Sequence, residues 1–575
     1  MGFPPLVDLY GHLGRYAMQT DLANRPELQP YYSYEWRLIG NLGADLLVEL
    51  LHRWLGLEPA IRLIVLATQA LAAAGILLMS RALHGRITPF AIAALPLIYG
   101  LPFNYGFLNF SLGMALAMLA FTLWLHLRRG TSRLAAPLWL AISGLGVWVC
   151  HTYGWAFLGL LCGSTLLAEA IAARERPLAA VGRIVATCAP LLLPLIPMIV
   201  WRSEAGGLNL DSSGFMYKLL GLVSALRVKW AIIDVPSLFV VVALIYWAVR
   251  STAVRIDLRL GIAALLCFAF FLILPKTVFG SAGADVRLVP YALICALLAV
   301  PVGALGSTAL RRVTVIALGF LAIRTVTTGA AYAQYEARTE AFLPALDAIP
   351  RGARVAFFSI SPCAPTWDLP VLDHSAGFAM ARRSVFVNDQ WNVPGLTPLT
   401  VHYPAAGAFA QDPSQFVLPD GCDRHFYPHL SQTLAQVPYD AFTHVWIIGD
   451  LPEGFRPPAR LRPVPHAGAG ALLAVQPIGY FADGGALRLG DRFAVAALIG
   501  RVRVNSQRCA KTAIAALRRT AIRAARCRLT VIRGKAAGRS RIATLCRLVI
   551  QPVGLAAETK KAPVSRGFRA FTAGR

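Results

Sequence analysis

Apolar runs of about 16–22 residues, separated by short polar loops, fill the chain from Ala60 to Gly329. Roughly 20 apolar residues in a helix cross the ~30 Å hydrocarbon core of a bilayer, and a helix satisfies its own backbone there. The pattern predicts spans at 60–79, 88–103, 107–126, 134–150, 154–173, 184–201, 235–249, 260–275, 288–306 and 313–329. The expected fold class is an all-α polytopic membrane helix bundle of about ten spans, carrying a small α/β extracytoplasmic domain near its C-terminus. The expected division is 1–57, a first outer loop with interfacial helices; 58–330, the bundle; 331–480, the α/β domain; and 481–575, a basic tail.

Arginine placement orients the bundle. One alternating set of loops holds Arg81 and Arg86; Arg128, Arg129 and Arg133; Arg174, Arg176 and Arg183; Arg250, Arg255 and Arg259; and Arg311 with Arg312. Lys and Arg near short loops mark the cytoplasmic side. The intervening loops, among them Asn104–Asn109 and His151–Tyr153, lie outside, and with ten spans so do residues 1–57 and all that follows Gly329. Met1-Gly2-Phe3-Pro4-Pro5 reads as the exit from a preceding helix, which makes an earlier span, lost through a misplaced start, the preferred expectation over a genuine outside N-terminus.

The polar segments hold the chemistry. In LVDLYGHLGRYAMQTD, Asp8, His12 and Arg15 stand at i, i+4 and i+7 on one helical face. A carboxylate can take a proton and a guanidinium can grip phosphate oxygens as a fork, so the trio suits hydroxyl activation beside a phosphate; a solvated interfacial helix is the plainer alternative. From Leu38 to Leu55, Leu42, Leu46, Leu47, Leu50, Leu51 and Trp54 share one side and Asp45, Glu49, His52 and Arg53 lie elsewhere, the pattern of a helix on the membrane surface. A second such helix is expected around Lys218, Arg227 and Lys229.

On the same outer side, Lys276, Asp285 and Arg287 lie in KTVFGSAGADVRLVP, at helix ends. A cation there can hold a lipid-linked phosphate, or an Asp285–Arg287 pair can simply fix the loop. His151, among helix ends, needs a partner; Tyr105 and Tyr153 fit an aromatic belt.

Beyond the last span, Tyr332–Ile349 reads as a helix and ARVAFFSI, SVFVN, HVWIIG and ALLAVQ as strands. The region lacks GxGxxG, a P-loop and HExxH, and Asp368, Asp373 and His374 do not have metal-ligand spacing, so neither metal nor cofactor is expected. It reads as an accessory or acceptor-binding domain. Cys363 and Cys422 can bridge if the region is extracytoplasmic, or remain two thiols.

Composition then removes alternatives. Hydrophobic residues make up 57%, charged residues 15%, and mean hydropathy is +0.57, which argues against a soluble enzyme and against a disordered chain. The net charge of +26 sits mostly in 501–575, with fifteen Arg and four Lys against Glu558 alone, so it gives no case for nucleic acid. A disordered tail is the default there, and binding to anionic lipid or polysaccharide the alternative.

An acid-bearing first outer loop, an interfacial helix, a many-span body and a carboxy-terminal outer domain together resemble the GT-C class of membrane glycosyltransferases. PPLVDLYGHLGRY, NLGADLL, GSAGADVRLVP and HSAGFAMARRSVFVN look like a group of bacterial membrane proteins related to that class, over roughly residues 4–480. The resemblance implies an acid after the first span as catalytic base, which by position is Asp8, and a polyprenyl-phosphate sugar donor. His12, Arg15, His151, Lys276, Asp285 and Arg287 are the candidates for donor phosphate or substrate. The expected partners are membrane lipid, that donor and a glycan or lipid acceptor, in a bacterial inner membrane with the first loop and C-terminal domain outside. A lipid-linked glycan transporter would place polar groups at mid-bilayer, where only Gln69 and Arg324 qualify. A non-catalytic polysaccharide-assembly protein remains the third alternative.

Overall fold

The computed structural model describes residues 2–200, 214–278, 281–303, 305–393 and 397–477. These belong to one compact unit; a second, Ile478–Val564, and the basic tail lie outside the described residues. So do 201–213, which removes part of the second expected surface helix, and Gly280.

Among the described residues, five helices are long and apolar enough to cross a membrane: Leu57–His84, Leu108–Leu127, Thr152–Ala172, Ala231–Arg250 and the helix within Ser307–Ala348. They overlay the runs expected at 60–79, 107–126, 154–173, 235–249 and 313–329. The other runs form shorter apolar helices. Pro96 and Pro102 divide 88–103 into the helix Pro89–Ala94, a 3-10 segment and the short helix Leu101–Asn104. Pro190 and Pro194 likewise interrupt 184–201. Proline lacks the amide hydrogen and collides with the preceding turn, so an apolar run need not be one straight helix. At the other end, the last apolar run and the expected helix at 332–349 merge into one 34-residue helix, Ser307–Glu340.

Close approaches hold the bundle. A Cβ on Gly154 would stand 2.5 Å from the carbonyl of Gly113, so Leu108–Leu127 and Thr152–Ala172 meet backbone to backbone. Small residues allow this where lipid gives helices no hydrophobic reason to associate. A core including Phe90, Phe121, Trp124, Phe157 and Leu161 fills the bundle.

C-terminal to the bundle lies a mixed six-stranded sheet ordered Phe386–Val387, Arg354–Ile360, His444–Ile448, Ala471–Val475, Leu461–Pro463, with Phe416–Val417 also pairing with Arg354–Ile360. Arg354–Ile360 is parallel to three neighbours and buried at every position after its first, as a strand covered on both faces must be. Phe416–Val417 and Leu461–Pro463 had no strand signal because each is only two or three residues long.

The sheet and the start of the chain share one core: Leu6, Leu9, Tyr10 and Leu13 pack with Phe357, Phe378 and Val387. Tyr32–Tyr34 pairs antiparallel with Leu399–Val401, and Cys363 and Cys422 form a disulfide. The helix Gly43–Leu55 turns Leu46, Leu50 and Trp54 outward, Trp54 being 84% exposed, while Asp45 is fully buried. Its apolar stripe faces away from the protein and its acid faces in, the reverse of a soluble amphipathic helix.

Candidate active site

Asp8 ends the irregular entry strand, immediately before the helix Leu9–Asp21. Its amide donates to the Tyr105 carbonyl at 3.0 Å, and that of Val7 to the Asn104 carbonyl at 3.2 Å. The turn that receives them needs Gly106, at φ +85°, where a Cβ would stand 2.9 Å from the Asp8 nitrogen. The Asp8 carboxyl caps no helical amide, which leaves its oxygens for other work. Its side chain is 21% exposed.

Around it stand groups from three parts of the chain. His374 brings Nε2 to 3.9 Å from Asp8 Oδ1. Arg287 lies within electrostatic range, as do Asp412 and Asp373. Burial raises the Asp8 pKa to about 7; the Arg287 charge opposes this and that of Asp412 adds to it. Burial and then the neighbouring acids push Asp373 well up, and burial brings Asp412 to about 6. Burial and mutual repulsion therefore act together to keep this group of carboxyls from ionising fully. Among the described residues, no three His, Cys, Asp or Glu converge as metal ligands would.

Arg287 stacks 3.7 Å above the Phe107 ring and donates to Ser281 Oγ at 2.9 Å and the Ala282 carbonyl at 2.8 Å. It makes no ion pair among the described residues, and its buried Nε has no hydrogen-bond partner. A buried guanidinium fixed by neutral acceptors keeps its charge available to an anion.

The other sequence candidates separate from this centre. Arg15 reaches away to Asp45, which it grips through both guanidinium nitrogens, and Asn109 completes the knot at 3.1 Å from Asp45 Oδ2. The helical face shared by Asp8, His12 and Arg15 therefore does not act as a unit. His12 turns toward Trp391, ring centroids 5.0 Å apart, and burial lowers its pKa well below the usual range. Asp285 does not pair with Arg287: it accepts from Lys218 Nζ at 2.5 Å and Tyr217 at 3.4 Å. Lys276 places Nζ 5.6 Å from the Tyr217 ring centroid. His151 caps the helix Thr152–Ala172, its Nδ1 accepting from the Tyr153 amide at 3.0 Å, and Tyr153 donates to the Ala284 carbonyl.

Sequence reasoning missed His374, Asp373 and Asp412. The first two were weighed only as metal ligands, although HSAGFAMARRSVFVN begins at His374; Asp412 had no local signal at all. Arg227 was assigned to a surface helix, yet it donates to the carbonyls of Trp367 and Asp368 at 2.8 Å each and ties the bundle to the sheet region.

No family model matches this chain, and no curated protein matches it. Among solved structures it is similar to ArnT from Cupriavidus metallidurans in the apo state, at 15% identity and a TM-score of 0.45, covering 80% of this chain and 93% of that one. It is similar to the same protein bound to undecaprenyl phosphate at 14% identity and a TM-score of 0.43, with the same coverage of both chains.

Proposed function

We propose that the protein is an integral membrane glycosyltransferase that moves a sugar from a polyprenyl-phosphate donor to a cell-envelope glycan or lipid. The observation that carries this reading is the pairing of a buried, partly exposed carboxyl with an unneutralised guanidinium: Asp8, with a pKa near 7, beside Arg287. A general base works best when its pKa lies near the operating pH.

In the reaction, Asp8 takes the proton of the acceptor hydroxyl as its oxygen bonds to the anomeric carbon. The bond from that carbon to the phosphate oxygen breaks, and its electron pair leaves with the phosphate. Arg287 opposes the charge that develops there. The working arrangement is a bacterial inner membrane with residues 1–57 and the sheet region outside. The Cys363–Cys422 disulfide suits that placement, because disulfides persist in oxidising compartments.

The transport reading asks for polar groups at mid-bilayer, and Arg324 there is engaged with the protein itself. Arg324 pairs with Asp234 at 2.6 Å and donates to the Leu226 carbonyl, while Asp234 also accepts from Trp367 and two backbone amides. These contacts give Arg324 a structural role, with its Nε alone left without a hydrogen-bond partner among the described residues.

The test is Asp8→Asn in the purified full-length protein, assayed for transfer from a polyprenyl-phosphate sugar. Proton abstraction contributes roughly 10²–10⁴-fold, and a loss of that size with donor binding retained is expected. Activity near wild type would move the chemistry away from Asp8.

A further inference from the structure

His374 reports its own tautomer. Nδ1 lies 3.3 Å from the backbone carbonyl oxygen of Asp389. A carbonyl can only accept, so Nδ1 carries the hydrogen, and in a neutral ring Nε2 then carries a lone pair. The ring is 4% exposed and clamped between Trp391, 4.4 Å away by ring centroids, and Phe416 at 6.0 Å. It cannot turn over without displacing both. The nitrogen that carries the lone pair lies 3.9 Å from Asp8 Oδ1.

We propose that His374 is the positioning residue for Asp8: once Asp8 has taken the proton of the acceptor hydroxyl, Nε2 accepts an Oδ1–H···Nε2 hydrogen bond from its carboxyl. This rests on the reading of Asp8 as the base. The gap is about 1 Å longer than a hydrogen bond, a looseness that catalytic contacts commonly lose when substrate binds. In the step, the acceptor O–H bond breaks as its oxygen bonds to the anomeric carbon, and the proton goes to Asp8. The proton stays on Asp8, its O–H directed to Nε2, while Nδ1–H remains on the Asp389 carbonyl. No co-reactant is needed.

The charged and titratable groups facing Asp8 divide by element. Tyr105 comes from the turn beneath it and Arg287 from the helix end beside it. Asp373, His374 and Asp412 come from the sheet region. His374 brings a nitrogen lone pair to the Asp8 oxygen, so it favours the protonated carboxyl. Burial holds the ring itself neutral, with a pKa lowered to about 4.

Two substitutions separate the ring's two nitrogens. His374→Asn keeps a donor at the Nδ1 position and removes Nε2, whereas His374→Gln restores an amide oxygen near Nε2. The readout is the pH dependence of carboxyl-specific diazo labelling at Asp8, followed by peptide mass spectrometry on purified full-length protein, which requires no turnover. His374→Asn should lower the labelling midpoint by on the order of one pH unit, and His374→Gln should return it toward wild type. An unchanged midpoint in His374→Asn, with transfer still dependent on Asp8, overturns the role of His374 alone. A raised midpoint means the ring was charged and overturns it as well. A lowered midpoint with transfer indifferent to Asp8→Asn overturns the reading of Asp8 as base, and the positioning role with it. Nitrogen NMR of histidine-labelled wild-type protein gives a check that needs no His374→Asn: a ring protonated at Nε2 rather than Nδ1 overturns the proposal.

Discussion

A Cβ on Gly377 would stand 1.8 Å from the backbone oxygen of Tyr10. The helices Leu9–Asp21 and Ala376–Arg383 thus meet at a point where no side chain fits, and Gly11 and Gly14 face the same contact through Trp391 and Met380. Asp8 and His374 lie just before these two helices. The contact sets the distance between them. Gly377→Ala should part the helices, because backbone cannot yield as a flexible side chain can. Overpacking of this kind costs about 1–3 kcal/mol or more. A fall in the midpoint of unfolding in detergent, with transfer lost even where the protein remains folded, is the expected result; unaltered stability would contradict it.

Arg287 should matter to turnover more than to folding. Removing one preorganised group aimed at developing charge costs about 10²–10³ in kcat. Arg287→Gln is expected to lose that much in steady-state transfer, and Arg287→Lys to keep part of it. Equal loss in both would assign the residue to its stack on Phe107 rather than to charge.

Arg15 and Asp45 form a buried ion pair, 4% and 0% exposed. Breaking one partner of such a pair costs about 3–5 kcal/mol because the other charge is stranded, while replacing both with apolar residues can be near neutral. Asp45→Asn should therefore destabilise strongly and the double variant Arg15→Leu/Asp45→Leu should recover most of the loss. A double-mutant cycle by denaturant unfolding measures it.

Acidity should stabilise this region. Burial raises Asp8 to about 7, Asp412 to about 6 and Asp389 to about 8, from an ordinary value of 3.8. Between those limits the native state holds protons that the unfolded chain has released. The stability they contribute is full below pH 3.8 and is lost as pH rises through the folded values. The melting temperature should rise from pH 8 to pH 5, and Asp389→Asn should flatten the slope; a rise in stability toward pH 8 would refute the assignment.

Cysteine labelling tests the orientation. Gly130→Cys and Ala467→Cys place thiols at exposed positions on the two expected sides. An impermeant maleimide applied to intact spheroplasts should reach position 467 and spare 130; the opposite result inverts the topology.

The helices were legible because an apolar run is a local signal. Proline decided where that signal failed, at Pro96, Pro102, Pro190 and Pro194, since hydropathy averages over a break in hydrogen bonding. Asp8 was legible by its place at the start of a polar helix. The pairing of Arg15 with Asp45 was not legible, because spacing shows which residues share a face and not what that face meets. Asp45 looked solvated for the same reason: lipid takes the apolar side of its helix and the protein takes the acid. His374 and Asp412 stand hundreds of residues from Asp8, and no periodicity reaches so far.

The Cys363–Cys422 disulfide encloses Asp373, His374, Asp389, Trp391 and Asp412. Every group that the sheet region sends to Asp8 thus rides on one covalently closed circuit of chain, whereas the bundle and the Asp8 helix lie outside it. Closing that circuit limits how far the segment can wander before it docks. The compartment, through its supply of oxidant, therefore has a say in whether the two halves of the centre meet. A chain kept among thiols would own the same carboxylate and the same imidazole, and would have to find their alignment on a much longer leash.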